Sequence, residues 1–153
     1  MDVRGLLQQM YYLAIINNLQ TKGELLDAVT IAKLLFSHSK WLFSPNTPMV
    51  RRLQKGDQLV VYAAGRNNRC FLGYFTLASE ARILEHVPDA LEPLVNLYFL
   101  SCQIENATLW TKPKPIIEFL PNLSFVKDKK NYGLYLRQGL REIAKSDYEV
   151  IIG

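Results

Sequence analysis

The sequence predicts an α+β fold in which one curved β-sheet is flanked by helices. Segments with the composition of strands outnumber helical segments, and helical patterns lie near the start and the end of the chain. The clearest pair of strands covers residues 58–64 and 70–79. These strands flank Gly-Arg-Asn-Asn at 65–68, a run of turn residues that tolerate positive φ, and so predict a hairpin.

The first part of the chain predicts one buried strand and one helix. Residues 1–9 are a short lead, and the aromatic and aliphatic run 10–16 predicts the first strand. Apolar residues from 23 to 36 follow the spacing of an amphipathic helix, for which Thr21 is a start signal. The run 44–48 contains two prolines and predicts a loop.

After the hairpin, the sequence predicts further strands and a helical end. Gly73, inside the second hairpin strand, predicts a bulge or a close approach of another backbone. The predicted strands that follow cover residues 95–104, 108–110 and 116–119. Helical turns over 136–144 and 147–151 are expected to end the chain.

Length and composition predict one soluble domain over residues 1–153, because 49% apolar residues suffice for a core at this size. No apolar run approaches the roughly 20 residues of a membrane span, and the amino terminus has no export signal, so we expect a cytoplasmic protein. Cys70 and Cys102 form neither a disulfide framework nor a metal pair. We expect both to be buried, reduced thiols, and we expect no metal and no cofactor.

The net charge of +4 favours a polyanionic partner. Five cationic side chains are candidate phosphate contacts: Arg51, Arg52, Lys127, Lys129 and Lys130. Contacts of this kind position a nucleic-acid strand without reading its bases. The alternative is that these cations lie on solvated loops and helix faces.

Several short motifs occur in a characteristic order. An aromatic strand ends at Asn17, Lys-Trp follows the helix at 40–41, and Gly-Asp at 56–57 opens a strand. A strand that carries Gly73 and a basic loop within 123–132 come later. This order resembles the EVE branch of the PUA-like superfamily, a relative of the YTH domains that read methylated RNA. The resemblance covers most of the chain and implies a PUA-like curved mixed sheet, or pseudo-barrel, flanked by helices.

The resemblance also implies a pocket for a nucleic-acid base. Asn17 matches the family Asn, whose amide can pair with a Watson-Crick edge. Trp41 matches a wall of the cage that encloses a methylated base, so we expect an exposed or half-exposed indole. Where YTH domains place a second Trp, this chain offers Phe125, Tyr132 and Tyr135. We favour Tyr132, and Phe125 also suits the core. Taken alone, the residues favour a turn role for Asn17 and a core role for Trp41.

The expected function is a nucleic-acid-binding module that holds a flipped, methylated base of DNA or RNA, and not an enzyme. His38 and His86 are the only histidines and lie in no metal-ligand motif, and no nucleophile elbow or phosphate loop is present. One alternative is a hydrolase of the ASCH type, with Lys33 or Lys40 acting beside Glu80. The other is a protein-interaction module whose pocket is vestigial.

Overall fold

The computed structural model describes residues 8–153, so most of the predicted lead lies outside the described residues. The strands within this range are β1 (Tyr11–Ile16), β2 (Leu19–Thr21), β3 (Glu24–Leu26), β4 (Lys40–Phe43), β5 (Gln58–Ala63), β6 (Cys70–Leu77), β7 (Arg82–Ile83), β8 (Leu100–Pro115) and β9 (Leu140–Ile143). The helices are α1 (Ala28–Ser37), α2 (Glu92–Val95) and α3 (Lys145–Ile152). None of these helices is long and apolar enough to cross a membrane.

The main sheet is mixed and curled, with the strand order β4-β8-β6-β5-β1-β9, and β7 pairs with β8. Strand β1 pairs in parallel with β5 and antiparallel with β9. The remaining pairs in this sheet are antiparallel, and β2 and β3 form a separate hairpin. The predicted α+β class and the curved mixed sheet with flanking helices are confirmed.

Strand β1 is buried on both faces, which explains its unbroken apolar run. Tyr12 and Ala14 pack in a core cluster with residues of α1, whereas Leu13 and Ile15 pack in a second cluster with residues of α3. Since successive side chains of a strand point to opposite faces, the two clusters lie on the two sides of the sheet. Packing on both faces of the sheet therefore fixes the end of β1, and with it the backbone position of Asn17.

Helix α1 begins later than the sequence pattern predicts. The predicted start near Thr21 is wrong, because Thr21 ends β2, and Gly23 turns the chain into β3 with a φ of +102°. Asp27 is the actual N-cap, and its side chain accepts a hydrogen bond from the Thr30 backbone N–H at 3.3 Å. A helix is therefore present, but its first turn is replaced by a small hairpin.

The second half of the chain also differs from prediction. Strand β8 begins at Leu100, not at residue 95, and continues through the predicted break to Pro115. Pro115 is tolerated because this end of β8 pairs with β6 alone and leaves its other edge free. The predicted strand at 116–119 is a 3₁₀ turn, and the predicted helical turns at 136–144 contain β9.

The predicted β5–β6 hairpin and the close approach at Gly73 are both confirmed. A Cβ atom at Gly73 would overlap the backbone carbonyl oxygen of Thr108 on β8, where the register between β6 and β8 shifts. Asp57 is fully buried before β5, and its carboxylate accepts hydrogen bonds from the backbone N–H groups of Met10 at 3.1 Å and Gln54 at 2.9 Å. This carboxylate therefore joins the start of β1 to the turn before β5.

Candidate functional site

A cavity of about 310 Å³ lies between the end of β1 and strand β4. Asn17, which directly follows β1, and Trp41, on β4, both line it. Its remaining wall is mostly apolar and includes Ile16, Leu35 and Leu94. A volume near the lower end of the range for small-ligand sites, with few polar groups among apolar walls, is typical of a binding pocket.

Trp41 is both a core residue and a wall of this cavity. Its side chain is only 3% exposed, so the expectation of an exposed or half-exposed indole is wrong. The indole packs against Phe36 at 6.1 Å in a T-shaped arrangement and against Phe75 at 5.5 Å in a tilted one. Aromatic contacts of this kind hold a ring in one orientation. The indole that lines the cavity is thus fixed from behind by two other rings.

Asn17 and Asn18 have different surroundings, although they are adjacent. The Asn17 side chain is exposed, and its amide has no hydrogen-bond partner within residues 8–153. The Asn18 Oδ1 accepts hydrogen bonds from the Ala28 backbone N–H at 2.8 Å and from Asn68 Nδ2 at 3.2 Å. The structural role at this strand end therefore belongs to Asn18, which leaves both the donor and the acceptor of Asn17 available to a ligand.

Two further aromatic residues, Phe43 and Tyr98, line the same cavity. Tyr98 is half-buried, and its backbone N–H donates to the Leu94 carbonyl at 3.0 Å, which fixes the turn after α2. Sequence reasoning missed Tyr98, because no motif surrounds it and only the fold brings this turn to Trp41. It supplies a second aromatic ring where Tyr132 was expected.

A loop of residues 44–48 contributes further polar groups to the wall through Ser44, Asn46 and Thr47. The Ser44 hydroxyl accepts a hydrogen bond from the Asn46 backbone N–H at 3.3 Å, and Met49 ends the loop with a φ of +64°. A left-handed conformation is costly for a residue with a side chain, so it persists only where the surrounding structure holds it in place. The loop therefore holds a defined shape at the cavity.

A second cavity of about 500 Å³ adjoins the first, and Asn17 and Arg137 line both. The second cavity is polar, and Tyr132 lines it together with Arg66, Arg69 and Lys130. Tyr132 does not line the cavity of Trp41, so the two rings do not face one another across a single pocket.

Phe125 lies away from both of these cavities. Its side chain is 9% exposed in the core cluster beside α3, and the Arg141 guanidinium lies 5.2 Å from its ring centroid. The core alternative that the sequence allowed for Phe125 is therefore the one that its burial supports. A place for this ring in the pocket of Asn17 and Trp41 is not compatible with the fold.

The predicted phosphate contacts are dispersed. Lys130 lines the second cavity, whereas the Lys129 ammonium donates to the Leu123 carbonyl at 2.6 Å and thus stabilises its own loop. Arg51, Arg52 and Lys127 are exposed and line neither cavity. The arginines that do line the second cavity were not candidate contacts. Arg66 and Arg69 share the β5–β6 turn, Arg137 precedes β9, and only the fold brings these two segments to one cavity.

The structure offers no support for a hydrolytic site at Glu80. Its carboxylate forms an exposed salt bridge with Arg82 at 3.0 Å. Lys33 is exposed on α1 and Lys40 is half-buried on β4, and neither lines the cavity of Asn17 and Trp41. In residues 8–153, no group of three or more His, Cys, Asp or Glu side chains is placed to hold a metal ion.

The two cysteines are free thiols that differ in burial. Cys102 is fully buried as predicted, and burial, reinforced by the charges of Asp57 and Glu80, raises its pKa to about 12. Cys70 is half-buried, which corrects the prediction that both thiols are buried. Its pKa is also raised, mainly by burial. Both thiols are therefore protonated at neutral pH and are poor nucleophiles.

Comparison with known proteins finds one similar sequence and several similar structures. The chain is 28% identical over 110 residues to the UPF0310 protein in the gntR 5' region of Bacillus licheniformis, an alignment that covers 67% of this chain and 69% of that protein. No family model matches the sequence. Human THYN1, solved in complex with DNA containing 5-methylcytosine, has a similar structure, with a TM-score of 0.61 and 13% identity over 94% of this chain and 96% of that one.

Two further solved structures share the fold. The N-terminal domain of Staphylothermus marinus McrB gives a TM-score of 0.60 at 11% identity, over 97% of this chain and 98% of that one. The YTH domain of Zygosaccharomyces rouxii MRB1, solved with N6-methyladenosine RNA, gives a TM-score of 0.60 at 12% identity, over 99% of this chain and 91% of that one. These comparisons confirm the fold that the resemblance implied.

Proposed function

We propose, from the PUA-like fold that this chain shares with EVE and YTH domains, that it binds nucleic acid and holds one flipped-out, modified base. The base would occupy the cavity lined by Asn17 and Trp41. One observation carries the proposal: an amide that has no hydrogen-bond partner among residues 8–153 and a rigidly held indole line the same 310 Å³ cavity. The protein acts as a binder of DNA or RNA, and its cavity performs no chemistry on the base.

Each wall of the cavity has a distinct task in this proposal. The Asn17 amide, with one donor and one acceptor face, pairs with the edge of the base. Tyr98, which is half-buried, supplies aromatic surface for a face of the base, and stacking of this kind contributes roughly 1–3 kcal/mol per base. The nearly fully buried Trp41 adds apolar surface to the wall of the cavity. A methyl group on the base adds apolar area that these walls bury, so we expect discrimination of about 1–3 kcal/mol over the unmodified base.

Extrusion of a base from a duplex costs a few kcal/mol, and least where the base is unpaired. Single-stranded substrate is therefore expected to bind more tightly than duplex. The solved neighbours support a modified base as ligand, because one was crystallised with DNA containing 5-methylcytosine and another with N6-methyladenosine RNA. Since these ligands differ in both base and polymer, the preference of this chain needs direct measurement.

The test is fluorescence anisotropy with labelled single-stranded and duplex oligonucleotides, unmodified or carrying 5-methylcytosine, 5-hydroxymethylcytosine or N6-methyladenine. We expect one modified base to bind about 10-fold or more tightly than its unmodified parent. Asn17→Ala should weaken this binding, and Asn122→Ala, an exposed residue that lines neither cavity, is the matched control. Failure to bind any oligonucleotide at low salt, or equal binding by Asn17→Ala, would overturn the proposal.

A further inference from the structure

We propose that the second cavity binds the phosphate groups that flank the inserted base, and that Arg66, Arg69, Lys130 and Arg137 are the residues that hold them. This inference rests on the proposed function and names where the polymer backbone lies. The cationic side chains of this cavity will be called the cationic cluster. Only Lys130 among them was a candidate phosphate contact from the sequence.

In the described part of the chain, the cationic cluster is not neutralised by salt bridges. Within residues 8–153, none of the four cationic groups forms a salt bridge or donates a side-chain hydrogen bond. No Asp or Glu from the described part of the chain lines the cavity. Four like charges around one concave surface repel each other and create a positive potential that attracts a polyanion. A phosphate of the nucleic-acid backbone would neutralise this potential, and guanidinium groups can bind its oxygens in pairs.

The β5–β6 turn holds two members of the cluster in place. Gly65 and Arg69 have φ angles of +105° and +53°, so the turn adopts a specific conformation rather than an extended one. Asn68 Nδ2 donates to the Ala64 carbonyl at 2.9 Å and to Asn18 Oδ1 at 3.2 Å. The Arg69 carbonyl accepts a hydrogen bond from the Ile116 backbone N–H at 3.0 Å. The backbone that carries Arg66 and Arg69 is thus fixed before any ligand binds.

Continuity between the two cavities gives the direction of the nucleic-acid strand. Because Asn17 and Arg137 line both, a base held by Asn17 has its sugar-phosphate backbone beside Arg137. From there the backbone continues past Arg66, Arg69 and Lys130. Tyr132, which lines the same cavity, offers a ring on which a neighbouring base can stack. This placement gives Tyr132 a contact with the strand rather than with the inserted base.

The test is the salt dependence of oligonucleotide binding for Arg66→Gln, Lys130→Gln and the double variant. Each substituted phosphate contact should reduce the slope of log affinity against log salt by about 1 and weaken modified and unmodified oligonucleotides equally. Lys55→Gln is the matched control, because Lys55 is an exposed cation that precedes β5, at the opposite end of that strand from Gly65. All three positions are exposed, and thermal unfolding verifies that each variant folds.

The outcomes separate this inference from the proposed function. Retained preference for a modified base with an unchanged slope in the double variant would overturn the inference and leave the base pocket standing. A reduced slope without any preference for a modified base would support the phosphate site and overturn the pocket. Competition with the modified nucleoside monophosphate distinguishes the phosphate source: equal affinity for this small ligand and for the oligonucleotide would overturn a site for a polymer backbone.

Discussion

Asn18 Oδ1 accepts a hydrogen bond from the backbone N–H of Ala28 at 2.8 Å, which joins the end of β1 to the first residue of α1. A helix leaves its first N–H groups without intrahelical partners, so this bond satisfies one of them from outside the helix. The same oxygen accepts from Asn68 in the β5–β6 turn. One side chain therefore connects three elements around the candidate site, while the amide of its neighbour Asn17 has no hydrogen-bond partner in the described range 8–153.

Substitution of these two residues should separate stability from binding. We expect Asn18→Ala to lower the free energy of unfolding by about 1–2 kcal/mol, as for loss of a helix cap. Asn17→Ala should change it by about 0.5 kcal/mol or less, because the Asn17 side chain is exposed and surface substitutions of this kind contribute little to folding. Urea denaturation of both variants measures the difference. Equal destabilisation by the two substitutions would contradict the division of roles.

Trp41→Ala should be strongly destabilising, because the indole is buried against Phe36 and Phe75. Loss of a buried Trp costs about 3–5 kcal/mol. Tyr98→Leu retains apolar volume at a half-buried position and should cost less while it removes the aromatic face. Thermal unfolding ranks the two variants, and a melting temperature of Trp41→Ala close to that of the wild type would show that the indole is not part of the core. Tyr98→Leu is accordingly the better variant for binding measurements.

Gly73→Ala should destabilise the sheet, because the new Cβ would overlap the Thr108 carbonyl oxygen on β8. Overpacking of this kind typically costs about 1–3 kcal/mol, and a clash with backbone leaves no flexible side chain to move. Gly133→Ala is the control, since a Cβ there meets no atom within 4 Å. Chemical denaturation compares them. If Gly73→Ala were as stable as Gly133→Ala, β6 and β8 would have to lie further apart than described.

The buried thiol of Cys102 should make the protein less stable in alkali. Its folded-state pKa is raised to about 12, from an ordinary value of 9.0. Between these values the unfolded chain releases the thiol proton while the folded protein keeps it, so the free energy of unfolding falls as pH rises from 9 to 12. Below pH 9 this stabilisation is fully present.

Comparison with Cys102→Ala isolates this effect, because Tyr148 also has a pKa raised to about 12, mainly by burial, and contributes equally in both proteins. Denaturation at several pH values should show that the free energy of unfolding falls less steeply above pH 9 for Cys102→Ala than for the wild type. Parallel curves would show that the thiol does not titrate as described. In the native wild type, half-buried Cys70 should react with a thiol reagent before Cys102 does.

The strands that sequence reasoning placed well are those buried on both faces. Strands β1, β5 and β6 are apolar runs bounded by turn residues, and their pattern does not depend on distant neighbours. Strand β9, Leu-Arg-Glu-Ile, has two polar residues in four and is a strand because β1 pairs with it. The β2–β3 hairpin, with strands of three residues, is likewise too short to show a period.

The residues of the candidate site also differ in how far the sequence predicts them. Asn17 and Trp41 could be predicted because each belongs to an ordered series of motifs. The place of Tyr98 and the meeting of Arg66 with Arg137 could not, because both depend on packing between elements that are far apart in sequence. The burial of Trp41 agrees with the core role that the residue type alone favours, whereas the resemblance led to an exposed indole. A sequence does not show that Phe36 and Phe75 enclose the indole from behind.

The strand order has a mechanical consequence for the proposed pocket. Strands β4 and β1, which place Trp41 and Asn17, are separated in the sheet by β8, β6 and β5, and β4 pairs with β8 alone. A base that contacts both residues would link the edge strand β4 to the interior strand β1, with which β4 does not pair. Amide hydrogen exchange in β4 should therefore slow throughout the strand on ligand binding, including at amides that the base does not contact.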